Sequence, residues 1–270
     1  MKLSVLAKSD SELGGGVMER EIINYYKAYD EDGRLFRNNS HKIEWLTSMH
    51  YLKKFIKEGA FLLDGCAGTG NYAFPLADSG YEVIAGDMVP GNIDIIREKQ
   101  KNNPVLKDIY VGNMLDLSRF YDESFDAVLC MGAFYHVDDE IRTGIMKECL
   151  RVLKPGGLLV ISYINTMAGV IVGLDDELKN MDQAGEWFEN RTTDGVFLYM
   201  TPYQIEEMAM CFHMEIVCHF AVDGINYLLS DKINAADEEN FNKWYQFHLK
   251  TCEDKSLLGY SLHSMIILRK

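Results

Sequence analysis

The stretch Leu62-Leu63-Asp64-Gly65-Cys66-Ala67-Gly68-Thr69-Gly70-Asn71-Tyr72-Ala73 is the part of this sequence best suited to hold a ligand. It lies where a short apolar run gives way to a helical pattern, so the chain turns sharply from a strand into a helix. Gly68 and Gly70 permit positive φ and let a ligand lie against bare backbone. A helix N-terminus just beyond them offers free N–H groups and a partial positive charge to a carboxylate or phosphate. A bare turn would use the same glycines; the order strand, turn, helix is what favours a binding loop. Seventeen residues after Gly70, the run Tyr81 to Asp87 ends in an acid. A carboxylate there can accept hydrogen bonds from both hydroxyls of a ribose, although Asp87 could equally start a turn or cap the next helix. Together the two elements point to a nucleoside-containing ligand. They do not say which, because Gly68-x-Gly70-x-x-Ala73 also satisfies a dinucleotide fingerprint.

Such residues need a sheet to carry them, and the chain is patterned for one. Short apolar runs at Ala60–Leu63, Glu82–Ala85, Ile109–Val111, Ala127–Met131 and Leu158–Ile164 alternate with helical stretches at 71–79, 91–101 and 138–153. Strands buried on both faces and separated by helices describe a parallel sheet covered on each side. Pro75 should kink or shorten the first of those helices. Ahead of the alternation, after a polar leader, residues 17–30 and 40–57 have helical periodicity, the second with Ser40 as N-cap. Behind it, Thr201-Pro202-Tyr203-Gln204 reads as a capping box with proline at N1, opening a helix to about Met210. Met214–Phe220 and Leu262–Leu268 read as strands around a helix at 235–252, an antiparallel pair closing the sheet edge. The expected fold is α/β, a doubly wound, seven-stranded, mostly parallel sheet with an antiparallel C-terminal strand pair. Its parts are a helical cap (1–57), an α/β core (58–165), an inserted lid (166–200) and a C-terminal part of the core with an inserted helix (201–270).

Composition narrows the function. A chain of 270 residues buries roughly three quarters of its unfolded surface and needs no disulfide or metal to hold it together. With 27 bases against 41 acids the net charge is −14 and there is no basic patch, which argues against a nucleic-acid partner. The six cysteines are scattered, with no Cys-x-x-Cys and no metal spacing, and His263 and the other histidines show none either. No metal is assigned. The cysteines suggest a reduced, cytoplasmic setting, and no segment reads as a signal peptide. The uncharged run Gly156–Leu174 is long enough to cross a membrane, but polar residues at its middle make it a buried strand followed by a loop.

The order and spacing of five elements over roughly 58–165 resemble the class I S-adenosylmethionine-dependent methyltransferases. These are the Asp64-to-Gly70 loop, Asp87, Gly112-Asn113-Met114, the strand Phe125–Cys130, and Leu153-Lys154-Pro155-Gly156-Gly157 before the fifth strand. The flanks, Tyr25 to Trp45 and Leu257 to Lys270, look similar to small-molecule members. The resemblance implies a Rossmann-like fold with S-adenosyl-L-methionine as cofactor and a small-molecule methyl acceptor. It places the methionine part on Asp64, Gly65, Cys66, Gly68 and Gly70, the ribose on Asp87, and the adenine against Met88, Asn113 and Met114, with Met131 also at the cofactor. Cys66 stands where glycine is usual, and Asn113 where aspartate is common; its amide oxygen can still accept from the adenine amino group. A nicotinamide-dependent oxidoreductase and a cofactor-binding protein without turnover are the alternatives.

Methyl transfer from a sulfonium is an in-line displacement in which the cofactor is already activated. Orientation of two bound reactants is worth roughly 7–11 kcal/mol, whereas a general base adds about 10²–10⁴-fold, so no obligatory catalytic residue need be visible. If there is a base, His136 in Gly132-Ala133-Phe134-Tyr135-His136-Val137 is the candidate, at the carboxyl end of the fourth strand, with Tyr135 as the neighbouring alternative. It could instead order the loop or line the pocket. Tyr25, Tyr26 and Arg37 could cover the cofactor and pair with its carboxylate, or be a helix core stripe and a surface charge. Trp187, Phe188, Phe197, Tyr199, Tyr227 and Trp244 could line an acceptor pocket or fill a core. The acceptor atom and the oligomeric state are not legible.

Overall fold

The computed structural model describes residues 19–27, 29–193 and 195–270. Its centre is a sheet whose inner strands, β1 (Phe61–Asp64) and β4 (Phe125–Cys130), are buried at nearly every position. A strand can be apolar on both sides only if both faces are covered, and two cores meet that need. On one face Leu62, Ala127, Leu129 and Val160 pack with Tyr51, Leu52, Leu76, Ile93 and Ile96. On the other, Leu63, Val128, Cys130, Leu159 and Ile161 pack with Ile145, Met146, Cys149 and Ile205.

The first face is covered by α2 (Asn39–Phe55), α3 (Ala73–Asp78) and α4 (Pro90–Asn102), the second by α5 (Asp139–Val152) and α8 (Pro202–Cys211). With β2 (Glu82–Asp87), β3 (Asp108–Val111), β5 (Leu153–Ile164), β6 (Glu215–Ala221) and β7 (His263–Arg269), the seven-stranded order is β3-β2-β1-β4-β5-β7-β6. β1 pairs in parallel with both β2 and β4, so the chain leaves it in opposite directions along the sheet. That reversal opens a crevice at the carboxyl ends of β1 and β4. The reversed strand is β7, which runs antiparallel to both β5 and β6.

The remaining helices are α1 (19–27), α6 (Thr166–Gly173), α7 (Ala184–Asn190), α9 (Ser230–Asn234), α10 (Glu238–Thr251) and α11 (Lys255–Leu258). The capping box at Thr201 and Gln204 is formed as expected. No described helix is long and apolar enough to cross a membrane.

Several boundaries differ from expectation. The first helix is seen at 19–27, with Tyr29 and Asp30 already outside it; residues 17, 18, 28 and the polar leader lie outside the described residues. The cap of α2 is Asn38, whose side chain accepts from the His41 N–H at 3.1 Å. Ser40 instead ties α2 to the C-terminal part, its N–H donating to Asn234 Oδ1 and its hydroxyl to the Asn226 carbonyl. β5 begins at Leu153, not Leu158, because Leu153 already pairs with Phe125 and the register then slips to Ala127–Leu158. Lys154–Gly157 is thus a bulge within the strand. Gly157 is needed there, since a Cβ would lie 2.9 Å from the Lys154 carbonyl and 3.0 Å from that of Asp126. After β5 the uncharged run continues as helix α6 rather than a loop, with Ala168, Gly169 and Val170 buried. α10 starts at Glu238 because Asp237 caps it, accepting from the Asn240 N–H at 2.8 Å. Pro75 falls in the first turn of the six-residue α3, between the bonds Phe74 N–H to Gly70 and Leu76 N–H to Tyr72, and the Asn71 carbonyl it leaves without a helical donor accepts from the Trp45 indole at 3.0 Å.

Candidate functional site

The β1–α3 bend is held by main-chain bonds to both neighbouring strands. Gly65 N–H donates to the Leu129 carbonyl at 3.0 Å, and Ala67 N–H to that of Gly86 at 2.9 Å. Gly68 (φ +54°) and Gly70 (φ +88°) take the left-handed conformations that favour glycine. At the end of β2, Asp87 Oδ2 accepts from the Gly68 N–H at 2.8 Å, while Oδ1 accepts from the Val89 N–H at 2.8 Å and the Asn92 amide at 3.2 Å. The glycine bend and the acid one strand over are therefore one bonded unit. Burial pushes the Asp87 carboxyl up to about 6 against the pull of those donors.

Asp64, the last residue of β1, is 2% exposed, and its Oδ2 has no hydrogen-bond partner among the described residues. Burial, and then the charge of Asp87, push its carboxyl up to about 7. A buried carboxylate with an unused oxygen stabilises an incoming cationic group such as an α-ammonium. The site therefore fits an amino-acid-bearing nucleoside.

A first cleft runs along this edge and is lined by Gly65, Cys66, Gly68, Asp87, Met88, Asn113, Met114, Met131, Tyr135 and His136. With Tyr26, which also lines it, eleven of the sequence-derived site residues thus meet in one place. Gly65 has no room for a side chain, since a Cβ would fall 2.1 Å from Met114 Sδ. Asn113 Oδ1 accepts from the Leu115 N–H, and its amide donates to Glu19 of α1.

Other expectations shift. Gly70 does not line the cleft; its backbone turns the chain, and a Cβ there would strike the Phe74 ring at 2.8 Å. Because α3 begins at Ala73, no residue of that helix lines the cleft, contrary to the helix-terminus expectation. Asp64 lies behind the lining. Arg37 lines neither cleft: its guanidinium donates to the Asp30 carbonyl at 3.2 Å and sits over the Tyr29 ring. Arg34, one turn earlier, lines the second cleft and not the first. Tyr25 lines a second cleft and not the first.

That second cleft, of about 410 Å³, shares Tyr26, Glu31 and Tyr135 with the first. Its walls are aromatic: Tyr25 stacks on Tyr29 at 5.5 Å and meets Phe197 edge-on at 5.4 Å. Of the expected aromatics, Phe197 and Tyr199 line it, whereas Trp187, Phe188, Tyr227 and Trp244 do not.

His136 is 5% exposed. Its Nδ1 faces the Val196 carbonyl at 3.0 Å and its Nε2 the Tyr26 hydroxyl at 3.0 Å. A carbonyl can only accept, so Nδ1 carries the proton and Nε2 accepts from Tyr26. The lone pair expected for proton removal is engaged by a tyrosine. Arg142, fully buried, fixes this turn by donating to the Phe134 and Leu198 carbonyls at 2.8 and 2.7 Å and to Asp139 at 2.6 Å.

The sequence carries no local sign of a charged cluster behind the second cleft. Arg34 grips both oxygens of Glu44 at 2.6 and 2.8 Å. Burial alone would raise the Glu44 carboxyl, but Arg34 and His263 hold it down at about 2. His263 Nδ1 lies 3.7 Å from Glu44 Oε2 and 2.7 Å from Asp223 Oδ2. No metal spacing links these residues in the sequence, yet ligand-type atoms of Glu44, Asp223 and His263 converge within 4.8 Å. The Arg34 guanidinium offsets the charge of Glu44 and His263 donates to Asp223, so the cluster supplies its own cation.

With this geometry in place, relatives are informative. Residues 63–161 match the family model described as a methyltransferase domain. Over 107 residues the chain is 37% identical to the ubiquinone biosynthesis O-methyltransferase of Xanthomonas oryzae pv. oryzae and 36% to that of Xanthomonas campestris pv. campestris. The matched segment is 40% of this chain and 44% of those proteins, so less than half the length of these curated relatives is matched. Among solved structures, the PH0226 protein of Pyrococcus horikoshii OT3 aligns with a TM-score of 0.60 at 18% identity, over 92% of this chain and 98% of that one. An S-adenosylmethionine-dependent methyltransferase from Archaeoglobus fulgidus aligns with 0.58 at 16%, over 90% and 100%. At such identities the likeness is one of fold.

Proposed function

We propose, from the premise that residues 63–161 are a methyltransferase domain of the class I S-adenosylmethionine-dependent kind, that this chain transfers a methyl group from that cofactor to a small-molecule acceptor. The observation that carries it is the joining of Gly68 N–H to Asp87 Oδ2 beside the unpartnered Asp64 Oδ2, a cradle for a nucleoside bearing an ammonium group.

Bound there, S-adenosylmethionine supplies a methyl on a positively charged sulfur, open to in-line displacement. The chain's own residues do the rest. Asp64, buried behind the cleft wall, would supply the negative charge that favours the ammonium, the Gly65–Gly68 backbone would hold the methionine part and Asp87 the ribose. Met88 and Met114 would contact the adenine, one lone pair of Asn113 Oδ1 is left for its amino group, and Met131 completes the wall. Cys66 replaces a glycine without crowding the site, because Gly132 opposite it has no side chain. Tyr135, on both clefts, stands at the junction where a methyl would pass. His136 acts as a positioning residue that fixes Tyr26 across the same junction.

The second cleft is the acceptor site in this reading, and α1, with the 166–200 segment that carries Phe197 and Tyr199, covers it as cap and lid. Small-molecule O-methylation, as in the named relatives, suits its aromatic walls. A net charge of −14 disfavours nucleic acid, and six unpaired cysteines suit a reduced, cytoplasmic setting.

Titration calorimetry with S-adenosylhomocysteine and with NADH in parallel tests the assignment. Saturable heat with the thioether and none with the dinucleotide is expected; the reverse overturns it in favour of an oxidoreductase. Methyl transfer to a panel of small hydroxyl acceptors then separates an enzyme from a protein that only binds the cofactor.

A further inference from the structure

The second cleft has a reactive end. His263 opens β7 opposite Ile164, the last residue of β5, so its ring stands at the carboxyl rim of the sheet and lines the cleft. Nδ1 donates to Asp223 Oδ2 at 2.7 Å. Asp223 is itself fixed, because Oδ1 accepts from the His263 main-chain N–H at 2.9 Å and from the Ser261 hydroxyl at 2.8 Å. A carboxylate can only accept, so the neutral ring holds its proton on Nδ1 and its lone pair on Nε2. Nε2 has no hydrogen-bond partner among the described residues. A base oriented by a carboxylate, with its lone pair turned to a cavity, is the arrangement that activates a hydroxyl. Unlike His136, His263 has its lone pair unengaged.

We infer that His263, oriented by Asp223, is the general base that removes the proton from an aromatic hydroxyl seated in the second cleft. This rests on the methyltransferase reading above. Tyr25, Tyr29, Tyr135, Phe197 and Tyr199 suit a flat ring, which packs edge-on or offset against aromatic walls. A phenol has a pKa near 10 and is a weak nucleophile until its proton leaves. As the acceptor oxygen's lone pair forms the O–C bond, the C–S bond breaks and its electron pair stays on sulfur. The hydroxyl proton passes to Nε2. The resulting imidazolium is held by Asp223 and Glu44, whereas Arg34, bound to Glu44, limits how strongly the carboxylates favour it.

The charged and titratable groups facing the ring are Glu44 from α2, Arg34 from the turn before it, Asp223 after β6, and Tyr135, whose ring centroid is 6.4 Å away. Burial and Arg34 lower the imidazole's affinity for protons, but the two carboxylates prevail and hold its pKa above the ordinary histidine value. Since the neutral ring is the base, turnover should rise with pH until that raised pKa is passed.

The test uses 4-nitrocatechol, whose phenol and phenolate absorb differently, added to the full-length protein saturated with S-adenosylhomocysteine. Wild type is expected to bind it and shift its spectrum toward the ionised form. His263→Gln should keep its affinity for S-adenosylhomocysteine but lose that shift and lower methyl transfer to unsubstituted catechol, which stays protonated near neutral pH, by about 10²–10⁴-fold. Asp223→Asn should reduce the shift and flatten the alkaline-rising limb of the pH–rate profile. If His263→Gln does not fold, imidazole ¹⁵N spectra of the wild type serve instead, with His263 Nε2 expected to respond to the probe. No binding of nitrocatechol to the loaded wild type, a shift that survives His263→Gln, or an unresponsive Nε2 would each overturn the inference. Absence of S-adenosylhomocysteine binding in calorimetry would instead remove the cofactor assignment beneath it.

Discussion

Replacing Gly65 with alanine tests the cofactor cleft at its tightest point. Gly65 does not have a positive φ, so alanine meets no backbone strain. What it meets is Met114: the new Cβ would lie 2.1 Å from Sδ, 3.0 Å from Cε and 3.6 Å from Cγ. Ordinary contact begins at 3.4 Å, so Sδ must retreat by about 1.3 Å, with its methyl following. Met114 is 3% exposed and packed in the core beneath the cleft, so the thioether's open direction is into the space proposed for adenine. Overpacking of this kind costs about 1–3 kcal/mol. Expressed in binding, that is a loss of roughly 5- to 150-fold in affinity for S-adenosylhomocysteine, at about 1.4 kcal/mol per tenfold. Calorimetry on Gly65→Ala, Met114→Ala and the double variant forms a cycle. The double variant should bind better than the sum of the single losses allows, because the clash is gone. Unchanged affinity in Gly65→Ala, or strict additivity, would refute the placement of the adenine against Met114.

Four further outcomes follow from the charges and hydrogen bonds. Asp64 and Asp87 are raised to about 7 and about 6, so between about pH 4 and 7 the folded protein holds protons that the unfolded chain has released. Without ligand, unfolding free energy should therefore fall as pH rises across that window. An ammonium group prefers ionised Asp64, so S-adenosylhomocysteine should bind more weakly as pH drops from 7 to 5 and should release a proton, detectable by calorimetry in buffers of different ionisation heat; a flat affinity profile contradicts this. Arg34→Ala leaves Glu44 a buried, uncompensated carboxylate and should cost about 3–5 kcal/mol in urea unfolding, part of it recovered by adding Glu44→Gln. His136→Ala should leave S-adenosylhomocysteine affinity nearly unchanged and lower kcat by less than about tenfold, since Tyr26 already engages its lone pair; a larger loss would restore it as a base.

The α/β sheet was legible because its strands are buried on both faces and so read as continuous apolar runs. The Gly65–Gly70 bend was legible because positive φ demands glycine. Local polar competition was harder to see. Asn38 outbids Ser40 for the cap of α2 because Ser40 is drawn to Asn234 and Asn226, nearly 200 positions away. Gly156–Leu174 carried no period that separates a buried helix from a loop, and α6 went unseen. The charged cluster was invisible for a similar reason. Arg34, Glu44, Asp223 and His263 come from four separate segments, and only the insertion of β7 between β5 and β6 brings the last two to the others. Arg37 was named for its residue type, which does not say which turn faces inward, and Arg34 went unnamed.

Tyr26, Glu31 and Tyr135 border both clefts, and a shared border cannot be indifferent to what stands on either side. Two reactants that meet across so short a border should arrive in sequence. The nucleoside, settling first, firms the tyrosines and so finishes the chamber that the second guest enters. Steady-state kinetics should then show compulsory order, with the spent thioether competing against its parent and not against the acceptor.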